Sequence, residues 1–155
     1  MRRFIKHATI VAGVLGAASL AFAHGDHEHF GAGEPGVEKA ASKTIEVVMT
    51  DADGKMALTP ARVEVKRGET IKFVVRNAGM TTHEFVIGDK AENAAHAKMM
   101  AEMPDMRHND PSAKTIDPDK TATLTWRFTK KGEFEFDCLL PGHYEAGMHG
   151  VVVVK

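Results

Sequence analysis

From Lys43 onward the chain alternates apolar and polar residues in short runs. Thr44–Thr50 (TIEVVMT) and Arg62–Lys66 (RVEVK) repeat with period two, the pattern of strands that bury one face. A turn at Lys66-Arg67-Gly68-Glu69 leads into a third such run, Ile71–Arg76 (IKFVVR). Asn77-Ala78-Gly79 interrupts the chain, and His83–Ile87 (HEFVI) resumes a strand. Two further runs, Thr121–Thr129 (TATLTWRFT) and Glu133–Cys138 (EFEFDC), are joined by Lys130-Lys131-Gly132. The chain closes on His149–Val154 (HGVVVV).

One segment has a different period. Asp89–Met103 (DKAENAAHAKMMAEM) is rich in Ala, Lys, Glu and Met, residues that favour a helix. Asp89 is placed to cap its start and Pro104 to end it. A Pro/Asp/Asn loop then runs to Asp119. About seven short strands separated by turn signals predict an all-β fold, a two-sheet β-sandwich with one short helical insertion at about 89–119. Residues 43–155 suffice for one core.

The N-terminal part lacks this alternation. Residues 1–23 read as a basic start, an apolar run and a small-x-small end at Ala21-Phe22-Ala23, which predicts a secretory signal peptide. The apolar run is short for a membrane span, so no membrane attachment is expected after cleavage. Residues 24–42 (HGDHEHFGAGEPGVEKAAS) carry His, Gly and acids with almost no core-forming residues, and predict a flexible His-rich tail. The expected compartment is a bacterial periplasm.

Composition narrows the function. Net charge is -1, from 20 Lys+Arg and 21 Asp+Glu. Without Arg2, Arg3 and Lys6 the balance is 17 against 21, or -4, so no nucleic-acid footprint is present. A single cysteine excludes an intrachain disulfide framework. A lone thiol in an oxidising compartment calls for deep burial or a metal. Nine His and nine Met are a high count for 155 residues.

The segment Cys138-Leu139-Leu140-Pro141-Gly142-His143-Tyr144-Glu145-Ala146-Gly147-Met148 places a thiol, an imidazole and a thioether at five-residue intervals on one loop. These are soft or borderline metal ligands, and Pro141, Gly142 and Gly147 allow the loop to turn tightly. His83, after the Asn77-Ala78-Gly79-Met80 turn, is the best candidate for a fourth ligand. Two His and one Cys with a weak axial Met is the donor set of a blue copper site. Zinc is disfavoured because a thioether is not among its usual ligands. A Cys–His hydrolase is disfavoured because no orienting acid or oxyanion site accompanies the pair. No enzymatic activity is expected.

The spacing Cys-x4-His-x4-Met, with an upstream His after an Asn-x-Gly turn, resembles the cupredoxins, or type 1 copper proteins. The resemblance covers essentially all of residues 43–155. It implies a cupredoxin-like Greek-key sandwich holding one type 1 copper, with His83, Cys138 and His143 as equatorial ligands and Met148 as the axial ligand. It further implies that His143 is the exposed ligand edge through which electrons pass. One position departs from the family: many members carry Asn directly after the first His, where this chain has Glu84.

An electron carrier of this kind does not need the remaining His and Met residues. The tail offers His24, His27 and His29, and the free amine of a mature His24 could chelate Cu(II) with its own imidazole. The helix and following loop add His96, Met99, Met100, Met103, Met106 and His108. Met99, Met103 and Met106 share one helical face by spacing, which suits either packing or copper capture. Met80 and His149 adjoin the ligands in sequence. All eleven are candidate secondary copper ligands, for additional weaker copper sites. A leader, a His-rich tail, a Met-rich insertion and the copper loop together resemble the periplasmic copper-tolerance cupredoxins. That resemblance implies a monomer that binds and buffers copper ions and cycles their oxidation state. The alternative is a soluble one-electron carrier between a respiratory complex or cytochrome and a terminal reductase; a copper chaperone is a third reading.

Overall fold

The computed structural model describes residues 30–155. Ten strands and one α-helix follow in order. The strands are β1 (Glu34–Pro35), β2 (Lys43–Thr50), β3 (Ala57–Thr59), β4 (Arg62–Val65), β5 (Thr70–Asn77), β6 (His83–Gly88), β7 (Ala113–Ile116), β8 (Thr121–Arg127), β9 (Gly132–Asp137) and β10 (His149–Val154). The helix, α1 (Lys90–Glu102), lies between β6 and β7. The strands form two five-stranded sheets, ordered β1-β8-β5-β2-β3 and β4-β10-β9-β6-β7. β2 runs parallel to β5 and β4 parallel to β10, and the other pairings are antiparallel. This is the expected two-sheet sandwich with one helical insertion.

The alternation read from the sequence points its apolar positions inward. In β2, Ile45, Val47 and Met49 are buried, while Thr44 and Glu46 face solvent. Between the sheets Phe73 meets Phe85 at 5.6 Å and Phe128 edge-on at 6.4 Å. Phe85 in turn meets Phe136 at 5.6 Å. Each fully buried aromatic contributes about 1.5–3 kcal/mol from burial alone, so this cluster dominates the core.

β6 is buried at all six positions because both of its faces are covered. The inner face meets the opposite sheet, and α1 packs on the outer one. A small apolar cluster of Val86, Ala113 and Leu139, with Ala97 of α1 against it, fills that outer layer. The helix starts as expected: Asp89 accepts from the backbone N–H groups of Ala91 and Glu92, and Glu92 returns a bond to the Asp89 N–H.

Three expectations need correction. Residues 30–42, assigned to a flexible tail, are held against the sandwich. Phe30 packs edge-on at 5.0 Å on Trp126, Ala32 is fully buried, and Gly36 N–H donates to Thr125 O at 2.9 Å. The N–H of Gly31 also donates to Glu92 Oε1 at 2.6 Å, tying this segment to the start of α1. Second, the loop expected up to Asp119 contains β7, which pairs with β6 from His83↔Ile116 to Val86↔Ala113. Third, β3 was not anticipated; it adds an edge to β2. Residues 1–23, read as the signal peptide, and the tail residues His24, His27 and His29 lie outside the described residues.

Candidate metal centre

The sandwich brings three strand ends to one place. His83 opens β6, Cys138 directly follows β9, and Met148 directly precedes β10. β6 pairs with β9 through Val86↔Asp137, and β9 pairs with β10 through Asp137↔His149. The pairing therefore fixes His83, Cys138 and Met148 at the same end of one sheet.

The loop between Cys138 and Met148 is closed by its own backbone. His143 N–H donates to Leu140 O, and Met148 N–H to His143 O, both at 3.0 Å. Cys138 N–H donates to Met148 O at 3.0 Å, which joins the two ends. Gly142 (φ 84°) and Gly147 (φ 107°) take left-handed backbone conformations that other residues adopt only at a cost. At Gly147 a Cβ would also stand 2.8 Å from the carbonyl oxygen of Met56.

Within this frame His83 Nδ1 and His143 Nδ1 lie 3.1 Å apart, and Cys138 Sγ lies 3.3 Å from His143 Nδ1. One nitrogen or sulfur atom from each of the three residues falls within 4.8 Å of the other two. His83, Cys138 and Met148 are fully buried, while His143 is partly exposed. Two imidazoles and a thiol converging beside a buried thioether fit a copper ion by the softness of the donor set.

Neighbours hold these donors in place. The Glu84 backbone N–H donates to Cys138 Sγ at 3.2 Å. Behind His83, Nε2 faces Asp51 Oδ2 at 3.4 Å, an arrangement that orients a metal-binding imidazole. Asp51 accepts from the backbone N–H groups of Met80 and Thr81 and from the Thr81 hydroxyl. The Thr81 hydroxyl, more than the backbone donors, pulls the Asp51 carboxyl down to about 2. Burial depresses both imidazoles below their ordinary value, and His143 lowers His83 further. Burial pushes the Cys138 thiol up to about 12. Sequence reasoning missed Asp51; its only signal was an acid shortly after a strand end.

A model of the cupredoxin-like domain matches residues 12–154. The chain belongs to the cupredoxin family. Two relatives are named copper-resistant cuproprotein CopI. The one from Rubrivivax gelatinosus is 49% identical over 123 residues, spanning 79% of this chain and 73% of that protein. The one from Pseudomonas aeruginosa is 37% identical over a 183-residue alignment, spanning 99% of this chain and 98% of that protein. Among solved structures, reduced auracyanin from Roseiflexus castenholzii superposes with a TM-score of 0.59 at 28% identity, covering 74% of this chain and 98% of that one.

The remaining candidate ligands of this cupredoxin are dispersed. Met80 is 89% exposed at the tip of the turn before His83. His149 is exposed and its ring stacks on Tyr144 at 4.8 Å. Met100 is on the buried face of α1, so it serves packing, whereas Met103 is 43% exposed. Met99 and Met106 are half-buried. Two candidates do meet: His96 and His108 lie with ring centroids 4.8 Å apart. The residue between them is Glu84, the position that departs from the family pattern.

Proposed function

We propose that this cupredoxin is a periplasmic type 1 copper-binding protein that acts in copper tolerance by binding and buffering copper ions rather than by catalysis. His83, Cys138, His143 and Met148 would hold the ion through two imidazoles, a thiolate and a thioether. The observation that carries this reading is the convergence of the His83 and His143 Nδ1 atoms on Cys138 Sγ beside a buried Met148. Relatives named copper-resistant cuproproteins support the physiological role.

Bound copper supplies a one-electron couple at this position. The chain's own groups set its surroundings. The thiolate and thioether suit Cu(I), the two imidazoles also suit Cu(II), and a loop closed by backbone hydrogen bonds keeps one arrangement for both. The Glu84 N–H holds the sulfur in place from behind. His143 is the one partly exposed member of the set, and its loop neighbours Leu140, Pro141, Gly142 and Tyr144 line a hollow that also carries Lys90, Glu135 and Glu145. That hollow supports redox cycling by electron exchange with a second protein, and it favours the one-electron carrier as the second reading. All four ligands come from one chain, which fits a monomer. The leader read over residues 1–23 supports the periplasmic placement, and His24, His27 and His29 would extend copper capture.

Growth of a strain lacking this protein tests the role. Wild-type protein supplied back to that strain should restore growth in excess copper, and the Cys138→Ser variant should not. Equal protection by both, at equal periplasmic levels, overturns the proposal.

A further inference from the structure

β6 carries two chemistries on its two faces. His83 points toward the loop ligands, and the next side chain, Glu84, points the other way into the layer beneath α1. The Glu84 side chain is fully buried, and no lysine or arginine pairs with it among the described residues. Burying a carboxylate without a partner costs several kcal/mol, so its surroundings are informative.

Two imidazoles surround it. His96 Nε2, from the middle of α1, lies 3.1 Å from Glu84 Oε2. His108 Nε2, from the loop after α1, lies 3.6 Å from Glu84 Oε1. The His96 side chain is 16% exposed and that of His108 only 9%. Glu84 Oε1 and His108 Nε2 are buried atoms with no hydrogen-bond partner.

The fold positions both rings deliberately. Thr115 faces Glu84 across the β6–β7 ladder. It binds the His108 backbone twice: His108 N–H donates to Thr115 Oγ1 at 2.7 Å, and Thr115 N–H donates to His108 O at 2.9 Å. Asp110 Oδ2 lies 2.8 Å from His108 Nδ1. With Nδ1 turned to Asp110, the neutral form of the ring keeps its Nε2 lone pair free on the Glu84 side. A carboxylate behind an imidazole that aims its other nitrogen inward is the usual support of a metal-binding histidine.

We infer that Glu84, His96 and His108 form a second metal site, for a divalent cation, on the face of β6 opposite His83. One ligand atom from each of the three residues lies within 4.8 Å of the other two, and each ring nitrogen faces its own oxygen of the Glu84 carboxylate, a spacing that a cation with bonds of about 2.0–2.1 Å can draw together. Two nitrogens and one oxygen without sulfur select Zn2+ or Cu2+ over Cu(I), and Cu2+ above Zn2+ at equal availability. Three protein ligands leave a coordination position for water. The hollow lined by Phe30, Met99 and Ser112 reaches His96 and provides the entry. This site stands independently of the copper reading of Cys138, because it shares no ligand with it.

Zinc titration of the purified chain tests the assignment. Equilibrium dialysis is run on wild type, His96→Ala, His108→Ala and Glu84→Gln. Each variant should bind one equivalent of Zn2+ fewer than wild type, and zinc should raise Tm less in each. Alanine at 96 sits on a half-buried helix position that alanine favours, so His96→Ala keeps the fold even if a change at 84 does not. In a Cys138→Ser background, Cu2+ should give an electron paramagnetic resonance signal of nitrogen and oxygen ligation that His96→Ala diminishes. Unchanged zinc stoichiometry and Tm response in folded His96→Ala overturn the site and leave the two imidazoles as ion-pair partners of a buried carboxylate.

Discussion

The backbone N–H of Glu84 donates to Cys138 Sγ over 3.2 Å, while the Glu84 carboxylate faces His96 on the other side of the strand. One residue thus touches both candidate ligand clusters. A divalent cation held by the carboxylate adds positive charge across the strand from the sulfur, in a dry layer where charge is poorly screened. Added positive charge favours Cu(I) over Cu(II). Saturating zinc should therefore raise the reduction potential of the copper-loaded protein, and His96→Ala should abolish the rise. A redox titration with and without Zn2+ measures both. By reciprocity, reduced protein should bind zinc more tightly than oxidised protein.

Asn77 anchors the turn that delivers His83. Its amide donates to Thr81 O at 2.8 Å and Ile116 O at 2.9 Å, and its side-chain oxygen accepts from Gly79 N–H at 2.9 Å. The residue is fully buried. Asn77→Ala leaves buried backbone groups unpaired and should cost about 2–4 kcal/mol. Urea unfolding of the metal-free protein reads this directly, and a loss below about 0.5 kcal/mol contradicts it.

Gly147 and Gly54 separate backbone cost from collision. Both have positive φ, but a Cβ at Gly54 meets open space, while at Gly147 it lies 2.8 Å from Met56 O. Gly54→Ala should cost about 1 kcal/mol from backbone conformation alone. Gly147→Ala should cost about 2–3 kcal/mol and also shift the visible absorption of copper-loaded protein, because it displaces the loop between His143 and Met148. Thermal unfolding of the pair, with visible spectra, checks the difference.

Arg107 ties the loop carrying His108 to the end of β7. It donates to Asp117 at 2.8 Å and, with Thr82, holds that carboxyl below its ordinary value. A depressed carboxylate stabilises the fold above its unfolded pKa and loses that contribution as pH falls through the lower folded value. Arg107→Ala should move the Asp117 titration, followed by NMR, back up toward the ordinary carboxyl value of 3.8. The acid-unfolding midpoint of the variant should lie at higher pH than that of wild type.

Much of this was legible in the residue pattern. Period-two runs located seven strands, Asp89 and Pro104 bounded the helix, and the Cys138–Met148 spacing singled out the ligand loop. β7 escaped because it is four residues inside a Pro/Asp-rich stretch, and its partner β6, covered on both faces, shows no alternation to match. Residues 30–42 escaped because glycines and acids signal no core, although Phe30 and Ala32 find places against Trp126 and the sheet. Asp51 and the role of the Glu84 carboxylate escaped for a different reason. A carboxylate behind a ligand, or on the reverse face of its strand, is defined by contacts across the fold, and no local spacing encodes those.

We propose above that His83, Cys138, His143 and Met148 form a type 1 copper site. Titration of purified protein, with Cys138 confirmed reduced, by Cu(II) tests it most directly through the intense visible thiolate charge-transfer band. The band should grow to saturation at one equivalent in wild type and be absent in Cys138→Ser, whatever further copper the protein takes up. Absence of the band in wild type with a free Cys138 thiol would rule out a type 1 site at these residues.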